Sequence, residues 1–462
     1  MSRNAAPDTD HEQKLAVTED WPAPLTAWYT VGVFTLVTAL AVVDRQILSL
    51  LVDPIKQSLH INDTQMSLLM GFAFVMFYAF MGLPIARLAD VKSRRLIIGL
   101  GVAAWSIMTA LCGLAQTYWH LFLARIGVGA GEASYSAATF SVLGDAFPPE
   151  KLAKANAVMS SGFYLGSGGA LIVGGAVIGA AIKMPNYVLP IIGEIQPWQA
   201  TFFIVGLPGL LVACLLRTVH EPRRRGLLRY SVDSGRTARP KSLPIKVILQ
   251  WLRNDWRTYT GIYGGMAVSA LLGLGANAWL PTFYMRTYSM SAQQVGLYLG
   301  LIMLLVAPAG LLAGGLLAES WLKRGRNDAN MRVALVSTVT AMPVAMIFPL
   351  MPTPDLAMGL YALNIFLVSL RPGAQNAALV VVTPNQMRAQ ASALYFFLYN
   401  LVGMGVGPLV LASITDYVFG SDADLRYSLA LYFTILGPLG CLVIWFGLKS
   451  YGESVVRARE RE

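Results

Sequence analysis

RIGVGAGEASY, residues 125–135, lies inside an apolar run from Trp119 to Phe147, yet it carries Arg125 and Glu132 seven residues apart. Seven residues is about two helical turns, so a helix places both side chains on one face. Gly127, Gly129 and Gly131 between them leave room for a neighbouring backbone. A second acid–base pair, Asp44–Arg45, interrupts the first apolar run of the chain. Ionised groups inside a bilayer are costly, and where they are kept they mark a pathway or a switch. Everything then turns on whether these runs are membrane spans.

Composition indicates that they are. Of 462 residues, 55% are hydrophobic and 13% charged, with a mean hydropathy of +0.56. Soluble domains carry about 25% charge. The polar first 25 residues lack a basic segment followed by an apolar one, so no cleavable signal peptide is expected. Cys112, Cys214 and Cys441 each stand alone in an apolar segment, which excludes a disulfide framework or a CxxC metal site. His11, His60, His120 and His220 show no metal-ligand spacing, and no GxxxxGK[ST] loop is present. Neither a metal, an organic cofactor nor ATP is therefore expected, and no nucleophile–base pair supports an enzyme.

Twelve apolar stretches follow one another between Tyr29 and Leu448, each near or above the ~20 residues that cross a bilayer. If the first leaves the cytoplasm, the outer connections hold only Lys56, Lys183, Arg286 and Arg426. The opposite connections hold Lys92, Arg94, Arg95, Lys151, Lys154, the run from Arg217 to Arg257, and Lys323, Arg324 and Arg326. This bias predicts a multi-pass protein of the cell (inner) membrane with both termini cytoplasmic. It also accounts for the net charge of +10, so nucleic acid is not an expected partner.

The expected organisation is a polar tail (1–25), a six-helix bundle (26–218), a cytoplasmic linker (219–256), a second six-helix bundle (257–450) and a tail (451–462). In the linker, Ile245, Ile248, Leu249, Leu252 and Trp256 recur at helical spacing among bases. That pattern suits either a helix on the anionic inner leaflet or the start of span seven.

The two halves repeat one another. Ala86, Asp90, Arg94 and Arg95 after span two have the spacing of Gly315, Glu319, Lys323 and Arg324 after span eight. Gly166 and Gly168 in span five are echoed by Gly403, Gly405 and Gly407 in span eleven, and all, with Gly162, read as packing positions. Parallel six-span repeats of this kind resemble the major facilitator superfamily, as does the 86–95 motif, although that family usually has Gly where Ala86 stands. Within it, Arg125 to Tyr135, Asp44–Arg45, and the segment from Pro384 through Met387, Arg388 and Ala389 to Pro408 resemble the Spinster transporters. The resemblance implies an all-α integral membrane fold of twelve spans in two pseudo-symmetric bundles. It further implies transport of lysophospholipids or sphingosine-1-phosphate-like lipids, often with protons as the coupling ion.

On the residues themselves, Asp44, Arg45, Arg125 and Glu132 are the candidate proton-coupling set. A helical rise puts Asp44 ~27 Å beyond Thr26 and Arg125 ~9 Å below Trp119, so these two can meet at one depth. The alternative is a permanent salt bridge. Arg45 and Arg125 also suit a phosphate headgroup. Tyr135, Asn277, Arg371, Gln375 and Asn376 join them as candidate substrate contacts, with the Pro372–Gly373 interruption of span ten marking the binding level. Arg371 equally suits snorkelling toward the cytoplasm, and Trp279 and Tyr284 read as an interfacial aromatic belt. Asp90, Arg94, Arg95 and Asp145, with Glu319, Lys323 and Arg324, are candidate gating charges. The expected protein is a monomeric, proton-linked carrier of an amphipathic lipid among membrane lipids; the alternatives are a broad exporter of amphipathic drugs and a proton-independent scramblase or channel.

Overall fold

The computed structural model describes residues 21–181, 187–189, 193–224 and 245–460. Eleven long apolar helical stretches are present among them. Span one is Pro24–Leu50, two Asp63–Ala89, three Arg94–Cys112, five Lys154–Ala180 and six Pro197–Thr218. Seven is Trp256–Tyr288, eight Ala292–Lys323, nine Ala329–Leu350, ten Pro354–Val382, eleven Gln390–Phe419 and twelve Asp422–Arg459. Span four is not continuous. It consists of Tyr118–Glu132 and Tyr135–Ala146, separated by Ala133 and Ser134.

The start of spans two and eight shows how the chain repeats its local chemistry. Asn62 accepts from the Gln65 amide and Gln65 returns a side-chain bond, closing a capping box. Ser291 and Gln294 do the same for span eight. Two residues before each cap stands a non-glycine in the left-handed region, His60 at φ 53° and Ser289 at φ 54°. Such a conformation costs on the order of 1 kcal/mol. Both reversals accept that cost at corresponding places.

Packing differs between the two ends of the molecule. At the end where spans one and two meet, one apolar cluster crosses the chain, joining Ile47, Leu69 and Trp198 to Trp279, Phe348 and Phe433. At the other end, which carries residues 21 and 460, the buried residues fall into separate clusters. One holds Phe34, Trp105 and Leu143, and another holds Tyr259, Ala378 and Tyr451. A seam of glycines closes the first end. A Cβ on Gly300 of span eight would sit 2.6 Å from the Gly168 carbonyl oxygen of span five, a distance no side chain tolerates. The helices approach there because neither residue has one.

The structure adds three details to the expected organisation. In the linker, a helix Ile245–Asn254 is separated from Trp256 by Asp255. Residues 225–244 and 1–20 lie outside the described residues. The final helix does not stop near residue 450 but runs to Arg459. A two-stranded ribbon, Tyr187–Leu189 with Gly193–Ile195, also stands between spans five and six.

Candidate functional site

The charges of the first half meet beneath the closed end. Arg45 of span one donates through Nε to Glu132 Oε2 of span four at 2.8 Å, and its Nη2 donates to the same oxygen. Glu132 is fully buried, whereas the Arg45 side chain is 21% exposed. Asp44 turns the other way, because neighbouring residues point about 100° apart on a helix. It is buried and accepts from the Thr109 hydroxyl of span three at 3.2 Å. Arg125 is wholly buried and donates to the Asp44 backbone carbonyl at 3.4 Å, not to its carboxylate. The depth argument therefore brings Arg125 and Asp44 together, but the close ion pair is Arg45–Glu132.

Phe74 of span two lies between the two arginines, with Arg45 Cζ 4.6 Å and Arg125 Cζ 5.6 Å from its ring centre. Tyr78 lies 5.5 Å from Arg45. A glycine sets this arrangement. Any Cβ on Gly129 would strike the Phe74 carbonyl, so span two can lie directly against span four. The break after Glu132 then turns Tyr135 toward span one, where its hydroxyl donates to Thr38 at 3.4 Å.

The arrangement is not saturated. Glu132 Oε1, Arg125 Nε and Arg125 Nη2 are buried without hydrogen-bond partners. Each such group costs about 1–3 kcal/mol. Two acids and two bases balance in charge, yet their donors and acceptors are only partly matched. A second pairing of the same four groups is thus open to them without any change of composition.

In the second half, span ten is broken at the corresponding place, between Ser369 and Arg371. Arg371 is 6% exposed and donates to the Ser269 carbonyl at 3.3 Å and to Thr338 at 3.5 Å. Snorkelling is thereby corrected: the residue points inward among spans seven and nine. Gln375 donates to Ser269 Oγ at 3.5 Å. Asn277 accepts from the Tyr361 hydroxyl at 3.1 Å. Asn376 is exposed on a different face of span ten, and the structure does not bring it to Arg371 and Gln375.

Trp279 and Tyr284 are not an aromatic belt; both have no exposed surface. Trp279 Nε1 donates to Ser67 Oγ at 3.1 Å and to the Pro408 carbonyl at 3.2 Å, tying span seven to spans two and eleven. Sequence patterning could not separate these aromatics from interfacial ones, since both kinds occur near span ends.

The sparse charges of this closed end form a network that the sequence reading treated only as topology. Arg286 donates to Asp53 at 2.9 and 2.7 Å and to Asp63 at 2.7 and 2.9 Å. Lys56 binds Asp63 and reaches Asp422 at 2.6 Å. Asp416 accepts from the Thr64 amide at 2.7 Å and its hydroxyl at 2.6 Å. Spans seven and eleven, and the first residue of span twelve, are therefore clasped to the segment between spans one and two. The available signal was that Asp53 and Asp63 bracket the lone Lys56.

At the opposite end the repeated motifs behave differently. Arg94 is 2% exposed and donates to Asp145 and to Ser141 Oγ, the latter at 3.0 Å. Arg95 donates to the carbonyls of Arg217 and Val219 at 3.3 and 3.2 Å. Glu319 and Lys323 instead pair with each other at 2.6 Å on an exposed helix face, and Arg324 is exposed nearby. Among the described residues they link no two elements. The side chain of Asp90 lies outside the described residues.

Glu221, absent from the sequence reading, sits at the start of span three. It accepts from the Arg94 amide at 2.7 Å and from the Ser93 hydroxyl. Burial pushes the Glu221 carboxyl up, but these two bonds and the Arg94 guanidinium outweigh it and hold the group below its ordinary value. Its contribution to stability is complete above about pH 4.3, the ordinary glutamate value, and is lost as pH falls through the lower folded value. Hydrogen-exchange protection across 216–224, taken relative to the intrinsic rate at each pH, is expected to fall below pH 4 in the parent, and to lose that acid dependence in Glu221→Gln.

The Major Facilitator Superfamily model matches residues 34–408. An "MFS-type efflux pump" of Mycolicibacterium smegmatis is 28% identical over 457 residues, covering 98% of each chain. "Protein spinster homolog 1" of Xenopus laevis is 28% identical over 257 residues, 54% of this chain and 44% of that one. A bacterial homolog of the human lysosomal transporter Spinster, solved inward-facing and unoccupied, superposes with TM-score 0.75 at 25% identity, covering 95% of this chain and 99% of that one. With a family match over most of its length and an all-helical, multi-pass fold that agrees, this chain belongs to the major facilitator superfamily of transporters.

Proposed function

We propose that the protein is a proton-linked secondary transporter that moves an amphipathic lipid with an anionic or zwitterionic head by alternating access. The observation that carries this reading is the Arg45–Glu132 pair, in which the acid is buried and the base retains exposed surface. A headgroup anion and the Glu132 carboxylate compete for one guanidinium. Protonating Glu132 releases Arg45, and the Phe74 and Tyr78 faces beside it suit the apolar part of the cargo. Under the orientation implied by the lysine and arginine distribution, the clasped end faces outward and the pathway opens to the cytoplasm. Likeness to the inward-facing Spinster homolog supports the same state.

A second reading, export of assorted amphipathic compounds, is favoured by the aromatic faces around Arg45 and by the full-length relative named as an efflux pump. Purified protein in liposomes distinguishes the two. Lysophospholipid flux is expected to saturate, to rise with an imposed pH gradient and to collapse when a protonophore is added. Gradient-indifferent flux would reject proton linkage. Transport of cationic amphipathic dyes with no lysolipid movement would favour the exporter.

A further inference from the structure

A pocket of about 330 Å³ opens at the end bearing residue 460, where spans eight, ten and twelve finish. It lies away from the central charges and does not depend on their assignment. Arg388 and Arg459 border it. Arg388 belongs to the segment from Pro384 to Ala389, which the transport reading leaves without a role. Its Nε is buried and has no hydrogen-bond partner. Arg459 donates to Asn327 at 2.9 Å through one nitrogen, leaving its other donors available. Among the described acids of this end, Asp328 is engaged by Arg332, Glu319 by Lys323 and Asp255 by Arg457, while Glu453 and Glu460 are exposed outside the pocket lining. The pocket is thus basic, with donor capacity to spare.

Its remaining wall is mixed: Asn327, Asn330 and Tyr451 are polar, while an apolar part is exposed. Leu322 is 39%, Val380 37% and Val381 43% exposed, on spans eight and ten. Paired guanidinium groups match phosphate oxygens with directed, charge-assisted bonds, and the apolar lip continues into the hydrocarbon surface of the bundle. A free phosphate satisfies the first feature and makes no use of the second. We infer that this pocket holds the phosphodiester headgroup of an anionic membrane lipid, with Arg388 and Arg459 on the phosphate and the acyl chains over Leu322, Val380 and Val381. The lipid so placed bridges the ends of spans eight, ten and twelve.

Native mass spectrometry of the full chain tests this with dioleoylphosphatidylglycerol, dioleoylphosphatidylcholine and inorganic phosphate as probes. The glycerol lipid is expected to remain bound where the choline lipid is displaced. Arg388→Gln and Arg459→Gln are each expected to weaken that retention by roughly tenfold. Lys449→Gln removes an exposed charge of the same helix outside the pocket and is expected to leave retention unchanged. Arg459 is exposed on the last turn, so its variant carries the test if Arg388→Gln fails to fold. Equal retention of both lipids, unaltered retention in both arginine variants, or an equal loss in Lys449→Gln overturns the proposal. So does a thermal shift with inorganic phosphate matching that with the lipid, which would make this a site for soluble anions.

Discussion

Glutamine at position 132 is expected to abolish the response of transport to a pH gradient, leaving flux within about twofold with and without the gradient. The physical reason is a single exchange. Under the proposed mechanism Glu132, which pairs with Arg45, releases it when protonated, so proton and cargo act on the same guanidinium. Glutamine keeps the shape and one hydrogen-bond acceptor but is locked in the neutral condition. Removing one member of a buried ion pair can cost about 3–5 kcal/mol. Arg45 reaches exposed surface, which lowers that cost and leaves a folded protein to assay. Asp44→Asn is the informative comparison. Its carboxylate is held by Thr109 and, among the described residues, forms no ion pair, so a smaller change in gradient dependence is expected. Reconstituted flux measured at several gradients decides, and a Glu132→Gln protein that still accelerates on acidification would remove this residue from the coupling step.

Replacing Arg286 by alanine is expected to open the clasped end. This guanidinium joins Asp53 and Asp63 by four hydrogen bonds of 2.7–2.9 Å and lies 5.6 Å over the Trp279 ring. Its loss leaves Asp63, which has no exposed side-chain surface, with Lys56 alone. The closed arrangement should weaken by about 3 kcal/mol, the scale of losing charge-assisted hydrogen bonds to two carboxylates while Lys56 still pairs with Asp63. A shift of that size moves the ratio of closed to open molecules by about a hundredfold. Spin labels at Gln57 and Tyr417, both exposed and on opposite sides of the clasp, report it as a lengthened distance distribution. An unchanged distribution would mean that the apolar seam of Gly168 and Gly300 holds this end closed without the ionic network.

Several features of the site were readable before any coordinates. Arg125 and Glu132 carry their own argument, because charges inside an apolar run have to be buried against something. The interruption at Pro372 and Gly373 likewise marked the level of the break that places Arg371. Other features left weaker traces. Asp53, Lys56, Asp63 and Arg286 look like ordinary loop charges, and only folding brings residues more than two hundred positions apart within hydrogen-bond distance. Glu221 stands among bases in a connecting segment, and nothing local shows that it reaches the start of span three. The repeated motifs after spans two and eight share spacing but not burial, since Arg94 meets Ser141 and Asp145 while Lys323 meets only its own helix.

Sequence alone determined that this chain lives in a bilayer, how often it crosses, and which acids and bases lie within the crossings. Those properties follow from hydrophobic run length and from the cost of desolvating charge, both of which are local. Tertiary structure decided the partners. Helical periodicity gives each residue a face and a depth on its own helix, but it does not say how the neighbouring helix is rotated. Here that rotation is set by close backbone approaches such as Gly129 on Phe74, and it turns Arg45, not Arg125, onto Glu132.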